Sequence, residues 1–167
     1  MTNTATDLLN DGMIKVTWVP GALADVSNPT LAELTAPGVV DLQWFVTKDG
    51  LDLKPDTAAV DNTALASTEE TQDVGMDSHD NSLTCKRKED STQDVAYNTL
   101  TRGAVGTLVV RRNLPEATAY AAGQNVETYP SRCGLPALQP PEKNAPQKFM
   151  VKLFNYASGD QRATVAA

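Results

Sequence analysis

The stretch AYNTLTRGAVGTLVVRR, residues 96–112, decides the fold. It reads as the end of a short helix, a glycine stop and then an apolar strand. The helix is expected to begin at Ser91, because Ser91 and Asp94 have capping-box spacing with Asp in place of Glu or Gln. It is expected to run through Arg102, with Tyr97 and Leu100 making its apolar contacts. Gly103 stands where a helix favours a left-handed C-terminal residue, beside a cation that suits the negative helix end. Beyond it, Val105, Thr107 and Val109 alternate with Gly106, Leu108 and Val110. Nearly all are β-branched or apolar, so this strand is buried on both faces or lies half-buried under a neighbour. Residues 111–115 close it with charge and a breaker. One helix laid against a β core is the architecture these residues imply.

Composition agrees with that reading. The chain has 167 residues, enough for one domain with a sizeable core. Ten prolines and ten glycines interrupt the long periodic runs that a helical protein needs. A formal net charge of −7 counts against sequence-independent nucleic-acid binding, which requires cations to displace phosphate counterions. The start, MTNTATDLLNDG, has neither a basic region nor an apolar run and reads as lacking a secretory signal. No segment has the apolar length of a membrane-spanning helix. Cys85 and Cys133 are expected to be reduced thiols in the core.

Outward from the deciding stretch, alternation marks further strands. Residues 15–20 place Ile14, Val16 and Trp18 on one side. Residues 29–34 are expected to be extended, with one helical turn starting at Pro29 as the alternative. Residues 39–47 read as one strong strand, with Val40, Leu42, Trp44 and Val46 pointing one way. Lys48-Asp49-Gly50 looks like a turn. Residues 82–88 alternate with Leu83 and Cys85 inward, and Lys86 and Lys88 outward. Residues 126–133 form a strand that Pro130 should confine to an edge or a bulge. The Pro-rich residues 135–146 read as an extended linker. In residues 147–155, Phe149, Val151 and Leu153 face one side, and Met150, Lys152 and Phe154 the other. Both faces carry apolar groups, so both are expected to be covered. Trp18, Trp44, Phe45, Phe149 and Phe154 are expected in the core. Residues 1–12 read as a polar arm. Residues 48–81 read as a long loop with few apolar anchors (Leu51, Leu53, Val60, Leu65, Val74 and Met76), of the kind that serves a function or is ordered by a partner, with short strands around residues 57–65 and 69–74 as the alternative within it.

Active-site templates fail. His79 is the single histidine and has no ligand partner at metal-binding spacing. Gly103-Ala104-Val105-Gly106 precedes a strand and lacks the Lys-Ser/Thr ending of a phosphate loop. The carboxylates Asp73, Asp77, Asp80, Glu89, Asp90 and Asp94 contain no distinguished acid/base pair. No catalytic residue, metal or cofactor is expected. Lys86-Arg87-Lys88 and Arg111-Arg112 are short basic patches in an acidic chain. They read as outward strand ends or as contacts to the acidic loop of another subunit.

Two runs then carry a resemblance. Leu31, Glu33, Leu34, Thr35, Pro37, Gly38, Asp41 and Leu42 fit an L-x-E-L-T-x-P-G-x-x-D-L segment. Ala96, Tyr97, Thr99, Leu100, Arg102 and Gly103 fit an A-Y-x-T-L-x-R-G helix end. Together they resemble the major tail tube proteins of long, non-contractile-tailed (siphovirus-type) actinobacterial phages, over roughly residues 30–155, with residues 127–136 matching less specifically.

The resemblance implies a mainly β fold, a β-sandwich or small barrel with one flanking helix and long arms. It implies a virion tail protein, assembled in the host cytoplasm, whose six-copy rings stack into the conduit for ejected DNA. Its partners would be further copies of itself, a tape measure protein, a tail terminator and a distal tail protein. DNA would pass without specific binding, and no membrane is involved. Val40, Leu42, Trp44, Val46, Leu108, Val110, Phe149, Val151 and Leu153 would build the subunit sandwich and ring interface, and the loop at 48–81 would reach the next ring. Six copies at −7 would carry −42, which would repel DNA phosphates if it faced the lumen. A terminator, a secretion-system tube, and a capsid decoration or adhesion module are the alternatives.

Overall fold

The computed structural model describes residues 10–167. Residues 1–9 of the expected N-terminal arm lie outside the described residues. In chain order the elements are β1 (Lys15–Pro20), α1 (Leu31–Leu34), β2 (Val40–Asp41), β3 (Val46–Asp52), β4 (Pro55–Asp61) and β5 (Gln72–His79). They continue with β6 (Asn81–Lys86), α2 (Val95–Thr99), β7 (Val105–Arg111), β8 (Asn125–Cys133), β9 (Ala137–Leu138), β10 (Lys148–Asn155) and β11 (Asp160–Thr164). Nine strands form one antiparallel sheet in the order β2-β1-β7-β8-β10-β6-β3, with β11 added on β8 and β9 on β10. Among the described residues β4 and β5 pair only with each other. The fold is mainly β, and the sheet does not close into a barrel.

β7 is the centre, as its sequence predicts. All its residues after Val105 are buried, and alternation sends them to two cores. Leu108 and Val110 join Val16, Trp18, Leu83, Phe149, Val151 and Leu153 on one face, where α2 contributes Ala96 and its C-cap residue, Leu100. Val109 joins Val19, Leu34, Tyr120, Val126, Ala163 and Val165 on the other. Burial of each such side chain contributes about 1.5–3 kcal/mol, so the two-sided strand is the main anchor of the sheet. Gly103 has φ +84° in the turn closed by the Ala104 amide donating to the Thr101 carbonyl. It therefore starts β7, and does not cap α2 directly.

Several expectations are corrected. The helix is short, Val95–Thr99, and no Ser91 capping box forms. Asp94 is its N-cap residue but makes no side-chain cap bond, because its carboxylate is turned to Arg87. The real capping box lies at residues 29–34, which are not extended: the Glu33 amide donates to Thr30 Oγ1, and Glu33 accepts from the Thr30 amide. Thr30, not Pro29, is the residue that starts this second helix.

The strand expected over 39–47 breaks in the middle. The amides of Phe45 and Val46 both donate to the Leu42 carbonyl, closing a turn after β2. Val40, Leu42 and Val46 still pack against one core, but Trp44 is turned out of it. The turn expected at Lys48-Asp49-Gly50 is instead a bulge within β3, where Val46 and Leu51 face Cys85 and Leu83. Gly50 permits it: a Cβ there would sit 2.3 Å from the Thr84 carbonyl oxygen.

Pro130 lies inside a central strand rather than at an edge, yet it costs no ladder bond. β8 pairs β11 through residues 125–128 and β10 through residues 131–133. The Pro130 carbonyl accepts from Tyr156 in the gap between those partners. The N–H and C=O of one strand residue point the same way, so the missing donor falls where no partner runs. Residues 135–146 are not a free linker, because β9 folds back on β10 with Leu138 opposite Phe149. The C-terminus is held by its own chain: β11 pairs β8, and Ala166 bridges Thr30.

Candidate assembly surfaces

The polar groups that resembled chemistry are mostly structural. Among the described residues no cluster of His, Cys, Asp and Glu is arranged to hold a metal. Cys85 and Cys133 are free and buried, and burial pushes both thiols up to about 12. Neither basic patch presents all its cations to solvent. Arg111 is fully buried and donates to the carbonyls of Pro115, Thr118 and Ala119 and to Gln124 Oε1, which ties down the loop after β7. Arg112 forms an ion pair with Glu127 at 2.7 Å. Arg87 pairs with Asp94 and lies 3.7 Å from the Tyr97 ring centre, while Tyr97 meets Phe149 edge-on at 5.1 Å. That stack fastens α2 to the sheet.

The surface features that remain unexplained within one chain are apolar. The first is the β4–β5 ribbon, which corrects the long loop expected at 48–81. All of β4 and most of β5 are exposed. Val60 is 49% exposed, Val74 79%, Met76 83% and Leu65, near the tip, 106%. Leu51 and Leu53 are not part of it, since they pack against the main core. Pairing of Ala59 with Val74 and of Thr57 with Asp77 puts Val74 on one face between Asp61 and Asp77. The opposite face carries Val60 directly across from Asp73, with Asp56 further along β4. Residues 55–79 hold Asp56, Asp61, Glu69, Glu70, Asp73 and Asp77 and no Lys or Arg, so the ribbon accounts for a formal −6 of the chain's −7.

The second feature is the outward face of β10 and its neighbours. Phe149, Val151 and Leu153 are buried on the inner side, but the outer side is open, contrary to the expectation of two covered faces. Phe154 is 59% exposed and lies opposite Arg132 across β8, with Val105 next to Arg132 on β7. Lys152, Met150 and Lys148 continue this face along β10, and Lys86 lies opposite Lys148. Lys152 reaches Asp80 at 3.0 Å, an exposed pair of little energetic weight.

The third is a groove of about 340 Å³ lined by Ile14, Val16, Gln43, Trp44, Val46, Lys48 and Leu51, among others. Trp44, expected in the core, is 66% exposed at its rim. Its turn position after Leu42 swings it out of the alternation that the sequence suggested.

Of the residues expected to build the sandwich and interface, Leu42, Leu108, Val110, Phe149, Val151 and Leu153 are buried inside a single chain. Val40 and Val46 are half-buried against the same core. Sequence alternation identified the outward positions of Phe154 and Lys152 but assigned the aromatic ring to the core. It gave no sign of β11, whose DQRAT sequence carries one buried apolar residue, Ala163.

No curated protein sequence matches the chain. In fold it is similar to a chain of the anti-feeding prophage baseplate, solved by electron cryomicroscopy with six-fold symmetry. The TM-score is 0.55 at 8% identity, over 94% of this chain and 95% of that one. The family model of phage tail tube proteins matches residues 1–167 from end to end. The chain therefore belongs to the phage tail tube protein family and is a non-enzymatic structural component of a virion tail.

Proposed function

We propose that six copies of this chain form a ring, and that rings stack into the tube through which genome DNA leaves the virion. The observation that carries this reading is the β4–β5 ribbon. An isolated two-stranded hairpin is at best marginally stable in water, and this one exposes four large apolar side chains. A neighbouring subunit supplies the missing cover. The six-fold symmetry of the similar baseplate supports a hexameric ring, and the quoted motif runs support a long non-contractile tail. Assembly in the host cytoplasm, contacts to a tape measure protein, terminator and distal tail protein at the tube's ends, and an acidic lumen over which DNA slides complete the proposal. Replacing lumen-facing carboxylates with Lys is expected to slow ejection, and unchanged ejection kinetics would count against the acidic lumen.

The test is removal of the ribbon. The Asp80 amide donates to the Lys54 carbonyl at 3.0 Å, so residues 55–79 can be replaced by a short Gly-containing link without displacing the sheet. The variant is expected to stay folded and monomeric while the intact chain forms rings or tubes in negative-stain electron micrographs. Normal tubes from the shortened chain would contradict the role of the ribbon. A second reading, a ring that caps a tail without stacking, is favoured by the baseplate origin of the similar fold. Single rings that never elongate would identify it.

A further inference from the structure

Resting on the tube reading, we infer that the ribbon of one copy docks on the open outer face of β10, β8 and β6 of another copy. Three observations support this pairing. First, the charges are complementary. The ribbon is acidic throughout, while the open face carries Arg132 and Lys86 together with Lys152 and Lys148, whose exposed ion pairs with Asp80 and Glu142 are weak enough to exchange partners. Second, the apolar groups match in arrangement. Each ribbon face sets a valine beside carboxylates (Val74 by Asp61 and Asp77, Val60 across from Asp73), and the receiving face has Phe154 and Met150 interspersed with cations. Third, the lengths agree. β4 has 7 residues, β5 has 8, and β10 has 8. At about 3.4 Å per residue each spans roughly 25 Å.

Docked in this way, carboxylates and cations pair around a desolvated apolar centre, which favours the correct partner and its register. The donor and receiving surfaces are different parts of the same chain. Used head to tail, such a contact propagates into a ring or an open stack, whereas a reciprocal exchange of ribbons would stop at a two-fold dimer that sedimentation distinguishes. Among the described residues the base of the ribbon borders this face within one chain, where Asp77, Ser78 and His79 share a cleft with Phe154 and Asp80 pairs with Lys152, while the rest of β4 and β5 stays exposed. The occupant is therefore a second copy, not the chain's own ribbon.

Charge reversal tests the pairing. One variant carries Asp73→Lys and Asp77→Lys, a second carries Arg132→Glu and Lys152→Glu, and a third combines all four. All four side chains are exposed, so each variant is expected to melt as the intact monomer does. Sedimentation against protein concentration gives the critical concentration for assembly. Each two-site variant is expected to raise it by about tenfold or more, and the four-site variant to recover most of that loss. Intact protein that assembles while the two-site variants assemble equally well, or a four-site variant no better than they are, would overturn the docking and leave the tube reading standing. Intact protein that forms no ring or tube, alone or in purified virions, would overturn both. As an independent measurement, Val74→Cys with Phe154→Cys should give an intermolecular disulfide ladder in assembled particles. Its absence would likewise remove the pairing.

Discussion

Replacing Arg111 by Met isolates what a buried cation does in the β7–β8 connection. The substitution keeps an unbranched apolar stem, so little cavity forms, but it removes every donor of the guanidinium. Four acceptors lose a partner: the carbonyls of Pro115, Thr118 and Ala119, and Gln124 Oε1. Two of them keep another bond, Pro115 from the Thr118 amide at 2.9 Å and Ala119 from Gln124 Nε2 at 3.1 Å. The loss therefore comes mainly from Thr118 and Gln124. Hydrogen bonds from a charged donor contribute about 1.5–3 kcal/mol each, and relief of the buried charge's desolvation offsets part of this, leaving about 3 kcal/mol. For a chain of this size that corresponds to a melting temperature lower by roughly 6–12 °C. Thermal unfolding of the monomer followed by circular dichroism measures it. Arg111→Lys, which keeps the charge but not the planar fork, should fall between the two. If Arg111→Met melts within about 2 °C of the intact protein, the argument that the guanidinium holds the loop is refuted.

Other outcomes follow from single contacts. Gly106→Ala should destabilise by about 1–3 kcal/mol, because a Cβ at Gly106 would sit 2.5 Å from the Trp18 ring and 2.6 Å from the Val19 carbonyl oxygen. Denaturant titration measures it, and an unchanged midpoint would contradict the packing. Trp44→Ser should change monomer stability by no more than about 0.5 kcal/mol, since the ring is 66% exposed, while raising the critical concentration for assembly. Burial raises Cys85 from 9.0, Cys133 from 9.0 and Tyr120 from 10.0, each to about 12. The folded state then holds more protons than the unfolded one between those values, so this stabilisation is complete below pH 9 and declines as pH rises toward 12. Denaturant midpoints that stay level from pH 8 to 11 would contradict it. A thiol reagent at pH 8 should modify neither cysteine in the folded chain and both after unfolding.

The strands of the main sheet were legible because burial imposes a period on the sequence. β1, β6, β7, β8 and β10 lie where alternation puts them. β7 in particular shows in its unbroken apolar run that both faces are covered. The two motif runs carried the family resemblance, and none of their residues pointed to an active site. What the sequence left open falls where a local pattern has more than one tertiary solution. Residues 39–47 have perfect strand alternation, yet the contact of Leu42 with the core and the turn that follows expel Trp44. In residues 55–79 the sequence suggested no more than short strands around 57–65 and 69–74 inside a loop, because a ribbon with no buried face leaves little alternation of hydrophobicity to detect. Arg111 looked like a charged strand end, and only the loop carbonyls converging on it explain a buried cation. β11 carries almost no apolar signal and is a strand because the edge of β8 at residues 125–128 offers it hydrogen bonds. Sequence periodicity thus determined which strands have a buried side. The tertiary structure decided which surfaces stay open, because exposure depends on what else in the chain arrives to cover them.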